Sequence, residues 1–219
     1  MLNFSGLIEE GNPFILLAMV ALLAVVIITT ERFYTLYFRY HLKVPPLRNA
    51  LEQALQEMDL NKALRIASLH QHHPVCKVAR AGLLRANAGD RELVRSMDAA
   101  SLECTPRIIG LTPFLAMLGN LGTLLGLIGT VFGMIAAFEG LGVSDSGAKQ
   151  EILARGIALA MNATAMGLIV AIPGTFFATL FGHRQEKLMD QMEETSLTIA
   201  GAIGQATREQ KLRQQLQQR

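Results

Sequence analysis

Leu118 to Gly133 reads LGNLGTLLGLIGTVFG. Its glycines, Gly119, Gly122, Gly126, Gly129 and Gly133, recur in steps of 3, 4, 3 and 4, which places all five on one face of an α-helix. A second stripe, Asn120, Thr123, Leu127 and Thr130, lies one residue round from them. No charged residue occurs between Arg107 and Glu139, a run of 31 residues, and a helix needs only about 20 to cross a hydrocarbon core of roughly 30 Å. So much glycine would weaken a helix in water. In lipid it lets neighbouring backbones come close, and van der Waals packing then holds the helices together. The regular spacing argues against a flexible linker.

Two other uncharged runs flank this one. Gly11 to Thr30 is 20 residues long and Gly156 to Gly182 is 27. The first lacks the basic leading region and small-residue cleavage site of a secretory signal. It therefore reads as a retained span, entered at Pro13 and ended by Glu31 and Arg32. Phe33, Tyr34, Tyr37, Phe38 and Tyr40 follow as an aromatic belt at a membrane surface. The last run places Gly156, Ala160, Ala163 and Gly167 at 3-4 spacing and holds Pro173 inside it. That proline removes the hydrogen bond to the Ile169 carbonyl and predicts a kink.

The remaining segments are polar. Arg32 to Arg107 has the composition of a soluble protein, with no strand pattern, and reads as a helical domain. Leu47, Leu51, Leu55 and Met58 mark an amphipathic helix after Pro45 and Pro46; Asp59 and Asp90 are candidate N-caps. His70, His72 and His73 precede Pro74 without an acid or cysteine at ligand spacing, so they read as a solvated loop rather than a metal site. Cys76 and Cys104 read as reduced core thiols. The last residues, EQKLRQQLQQR, are expected to fray.

The fold class is therefore an all-α membrane protein with three transmembrane helices and long helical extensions. Its expected divisions are 1–12, a short periplasmic N-terminus; 13–31, the first span; 32–107, a cytoplasmic helical domain; 108–138, the second span; 139–155, a periplasmic link; 156–182, the third span; and 183–219, a cytoplasmic helical tail. Orientation follows from Lys and Arg: none before the first span, twelve in 32–107, two in 139–155 and six from His183 onward. The positive-inside rule puts the basic segments in the cytoplasm.

Net charge is +2 and no phosphate-binding loop, dinucleotide fingerprint, basic run with interleaved aromatics or zinc spacing occurs. Nucleic-acid binding, metal chemistry and enzymatic catalysis are not expected, and no organic cofactor is implied. The second and third spans carry polar side chains at Thr112, Asn120, Thr123, Thr130, Asn162, Thr164, Thr175 and Thr179, but no ionisable one. Such hydroxyls either fasten helices or line a narrow wet path, where they solvate an ion without carrying charge. They cannot bind and release a proton at useful pH. An ion pathway here needs a carboxylate from another chain.

GLIGTVFGMIAAF, followed after a short polar link by ARGIALAMNATAMGLIVAIP, resembles the ExbB/TolQ/MotA family of ion-channel and motor subunits, and is most similar to its ExbB/TolQ branch. The resemblance covers nearly the whole chain. It implies a homo-pentamer of long helices, embedded in membrane lipid of the bacterial inner membrane. The ring would enclose single-span ExbD/TolR-like partners, two copies in the pore. It also implies that proton-motive force, or sodium in some relatives, drives work on an envelope or surface target. Thr130 matches the threonine of the GxxGTVxG motif, Thr164 that of A-T-A-x-G, and Pro173 the proline of A-I-P; both threonines would face the pore. Where many ExbB-like chains carry a membrane glutamate, this one has Leu159, with Asn162 three residues on. The partner's membrane aspartate is then the expected carrier. A non-conducting scaffold is the alternative.

Overall fold

The computed structural model describes residues 13–40, 42, 44–70, 72–143 and 149–217. The N-terminal segment 1–12 and the middle of the 139–155 link lie outside the described residues. Every regular element is helical. In chain order these are α1 (Pro13–Phe33), a π-helical turn (Tyr34–Arg39), α2 (Val44–Gln56), α3 (Leu60–Ser68), α4 (Pro74–Leu83), a 3₁₀ turn (Ala86–Ala88), α5 (Asp90–Ile109), α6 (Thr112–Val143) and α7 (Lys149–Gln217). Among the described residues, three helices are long and apolar enough to cross a membrane. In their most apolar windows only 17%, 28% and 33% of the residues are buried within the chain. Most of that apolar surface is therefore left for lipid or other chains to cover.

The chain divides into two compact units. The first holds α1 as far as Arg32 together with Leu111–Phe181. Its core is narrow. Ile15 and Met166 are buried against each other with Met19 and Ile169 packed beside them, and the Phe14 and Phe132 rings stack at 4.9 Å. One face of α1 is inward, at Ile15, Ala18, Ala21 and Val25; the opposite face, including Leu16, Val20, Leu23 and Ile27, is exposed. That is the one-sided burial of a span that packs on its neighbours along one stripe only.

The second unit comprises Phe33–Gly110 and Gly182–Arg219. Its core is an ordinary apolar one, with Leu51, Val75, Val78, Leu93, Met97, Ile108, Leu188 and Ile199 all nearly inaccessible. Asp59 caps α3, its carboxylate accepting from the Lys62 backbone N–H at 2.9 Å. Ser96 Oγ donates to the Ala81 carbonyl at 3.0 Å, across the α4–α5 contact. Gln185 Nε2 donates at 3.2 Å to the Ile109 carbonyl, one of the acceptors a helix C-terminus leaves open. Arg48 and Glu194 join α2 to α7 at 2.5 Å.

Several local expectations need correction. Asp90 does not cap α5; it is the first helical residue, and Gly89, at φ 103°, precedes it without a side-chain cap bond. The helical run before the second span stops at Ile109, because Gly110 turns to φ 45°, a left-handed conformation open to glycine, and α6 begins at Thr112. The 139–155 link is helical at both ends, α6 continuing to Val143 and α7 starting at Lys149; apart from Gly140 and Gly142 these ends hold no residue that breaks a helix. The tail is helical through Gln217 rather than frayed, in keeping with its Gln, Lys, Arg and Leu content. Tyr40 leaves the aromatic belt: it is buried, its ring edge-on to His73 at 6.2 Å, while Phe33, Tyr34 and Phe38 stay exposed.

Candidate functional site

The site is the seam where α6 meets the apolar half of α7. Glycine makes it possible. A Cβ placed on Gly126 would stand 3.1 Å from Gly167 Cα and 3.3 Å from the Ala163 carbonyl oxygen. On Gly133 it would stand 3.0 Å from Ala160, and on Gly129 2.5 Å from the Ala163 methyl. From the other side, a Cβ on Gly167 would lie 2.6 Å from the Gly122 carbonyl oxygen and 2.7 Å from Gly126 Cα. The two helices thus touch backbone to backbone along several turns. Gly119 closes the far end against Thr175 and Ala171. Gly174 opposes Gly119 and the Leu115 carbonyl. The sequence reading passed over Gly174, although its spacing of seven from Gly167, two helical turns, was a signal available there.

With the glycines turned inward, the threonine stripe faces outward. Thr123 is exposed and Thr130 half-buried. Thr123 Oγ1 donates to the Gly119 carbonyl at 3.4 Å and Thr130 Oγ1 to the Leu127 carbonyl at 2.6 Å. Thr175 does the same to Ala171 at 2.8 Å, and Thr179 to Thr175 at 3.0 Å. Each hydroxyl proton is committed to its own helix, so the oxygen presents lone pairs outward as an acceptor. Thr164 reaches the seam only through its Cα, 3.4 Å from where a Cβ on Gly126 would sit, and its side chain is exposed. Asn162 and Leu159 are half-buried on the same helix. α7 continues unbroken through Pro173. Such a surface can solvate a cation or accept a hydrogen bond from a protonated acid; it has no group to carry the proton itself.

The second unit holds the titratable groups that are perturbed. His73, expected in a solvated loop, is 4% exposed; His70 and His72 are exposed. Burial, then the charges of His70 and Arg184, lowers the His73 pKa to about 4. The Tyr40 backbone opposes this shift, yet neither ring nitrogen has a partner at ordinary hydrogen-bond geometry among the described residues. The expected loop is present and His70 and His72 are exposed in it; only His73 departs, buried at the start of α4 where Pro74 and Val75 turn inward. Cys76 and Cys104 are free and buried; burial pushes the Cys76 thiol up to about 11 and raises that of Cys104 as well. Among the described residues no three His, Cys, Asp or Glu side chains gather as a metal-binding group.

A family model described as the MotA/TolQ/ExbB proton channel family matches residues 70–194, more than half of the chain. The chain belongs to the MotA/TolQ/ExbB proton channel family. The matched span takes in α4, α5, the glycine seam, Thr130 and Thr164. Among solved structures, that of C. jejuni MotAB is similar in fold, with a TM-score of 0.56 and 17% sequence identity, over 92% of this chain and 84% of that one. No curated protein matches the sequence significantly. A proton-channel family is not an enzyme class, and membership accounts for the three apolar helices as spans of a membrane channel subunit.

Proposed function

We propose that the chain is the channel and stator subunit of an inner-membrane motor of the ExbB–ExbD or TolQ–TolR type, coupling proton-motive force to work on an envelope or surface target. Five copies form a ring around two single-span ExbD/TolR-like partners. The N-terminus and the 139–155 link are periplasmic; the 32–107 domain and the 183–219 tail are cytoplasmic. The ion is H⁺, or Na⁺ as in some relatives, and it travels on the partner's membrane aspartate past Thr130 and Thr164, with Thr123, Asn162 and Leu159 along the same wall.

The observation that carries this reading is the pair of opposite stripes. Glycines seal α6 to α7, and outward hydroxyl oxygens of the same helix are left on a surface with no ionisable group. A lone aspartate in lipid is costly, whereas a ring of such oxygens and their water gives it partners. One charge moved through 100 mV is worth about 2.3 kcal/mol, so a few ions per step suffice to rearrange a helix interface.

The test is proton flux into vesicles holding the chain and its partner. Thr130→Val and Thr164→Val should each lower flux by roughly tenfold or more, the equivalent of about 1.4 kcal/mol of lost stabilisation, while the complex still assembles. Normal flux in both variants removes the hydroxyl path. Leu159, standing where many relatives have glutamate, favours the competing reading of a non-conducting scaffold. That reading requires the driven process to survive collapse of the proton gradient.

A further inference from the structure

The second unit carries an open groove of about 340 Å³ between α5 and the polar half of α7. It runs from Val94 to Thr105 on one wall, about three helical turns or roughly 16 Å at 1.5 Å per residue. Met97 and Met192 form its buried floor, and Val94 and Leu197, 41% and 66% exposed, its apolar rims. Asp98 stands on one wall and Glu193 on the other. Two of its hydroxyls are already satisfied: Ser196 Oγ donates to the Met192 carbonyl at 3.0 Å and Thr105 Oγ1 to the Ser101 carbonyl at 2.8 Å. Among the described residues no Lys, Arg or His lines the groove. Nearby, Glu92, Glu103 and Glu194 each have an arginine partner. Among the described residues, Asp98 and Glu193 have none.

An apolar patch with a polar rim marks a binding surface, and methionine adapts its shape to what enters. A groove of this length suits apolar side chains one and two turns apart on a single helix. Two uncompensated carboxylates facing each other across it select a cation. We propose that this groove receives a cationic amphipathic helix of another protein, its apolar stripe on Met97 and Met192 and its Lys or Arg side chains beside Asp98 and Glu193.

The test uses the purified full-length chain, in the assembly it forms, in phosphatidylcholine nanodiscs. The probe is a fluorescein-labelled 18-residue Leu/Lys amphipathic helix, with its Leu/Glu counterpart and empty nanodiscs as controls. Fluorescence anisotropy should show saturable binding of the Lys peptide alone. Affinity should fall by roughly tenfold or more on combining Asp98→Lys with Glu193→Lys, and again for Leu197→Asp. All three positions are exposed, so folding should survive; an unchanged elution volume and melting temperature check this. Binding that ignores these substitutions, or that does not exceed the empty nanodiscs, overturns the proposal. A Leu197→Cys variant gives the second measurement, because Cys76 and Cys104 are buried. A water-soluble maleimide should label it, and the Lys peptide should protect it. Protection before any peptide is added would mean that a neighbouring copy covers the groove, which also overturns the proposal.

Discussion

Two residues separate what is rigid in this chain from what titrates. Gly167 is pressed against the α6 backbone at Gly122 and Gly126, and backbone cannot swing away as a flexible side chain does. Gly167→Leu should therefore split α6 from α7 and cost on the order of 3 kcal/mol, within the range for overpacked cores. Gly201→Ala is the control: nothing lies within 4 Å of the added Cβ, so this variant should melt at or slightly above the parent, since alanine favours helix. Thermal unfolding in detergent distinguishes the two. His73 supplies the pH dependence. Its pKa is about 4 folded against 6.5 unfolded, so above 6.5 neither state takes up the proton. As pH falls below 6.5 the unfolded chain is protonated first, and stability declines until about pH 4, by on the order of 3 kcal/mol in all. Melting temperature should thus drop between pH 7 and pH 5, and His73→Phe should flatten that part of the profile.

At the scale of elements, helix ends and breaks decide how much could be read in advance. Asp59 is a cap whose carboxylate accepts from the Lys62 backbone N–H; Asp59→Ala should lower stability by about 1 kcal/mol, seen as a shifted denaturant midpoint. The glycine rhythm of α6 was legible because spacing alone fixes a face. The apolar runs were legible because length alone fixes a span. Three features were not. The stop at Gly110 is hidden among apolar residues on both sides, although Gly110 followed by Pro113 is a helix-end signal. The helical ends of the 139–155 link carry charge, which reads as loop even where every side chain tolerates a helix. The burial of His73 comes from Tyr40 packing over it from outside its own helix, a tertiary choice that overrides local polarity. Of the candidate site, the residues were nameable and their division into an inward and an outward stripe followed from geometry. Gly174, a member of the same seam, continues the small-residue spacing of Ala160, Ala163, Gly167 and Ala171 and was legible there too.

For the molecule as a whole, the two units differ in what holds them. The second has a conventional apolar core and a helix capped by Asp59. The first leaves most of its apolar surface outside the chain, for lipid or other chains to cover. The flux measurements on Thr130→Val and Thr164→Val belong at this scale, because they test the proposed assembly rather than the single chain. The family assignment fits the three apolar helices of the described residues, of which the second and third spans carry no ionisable side chain.

The bare-backbone contact between α6 and α7 also has a kinetic signature. Amides shielded by carbonyl and Cα rather than by mobile side chains have no small fluctuation that admits solvent; they exchange only when the pair separates as a unit. In deuterated buffer, the N–H groups of residues 119–133 and 160–174 should be the last in the chain to be replaced. They should be lost together, at one common rate.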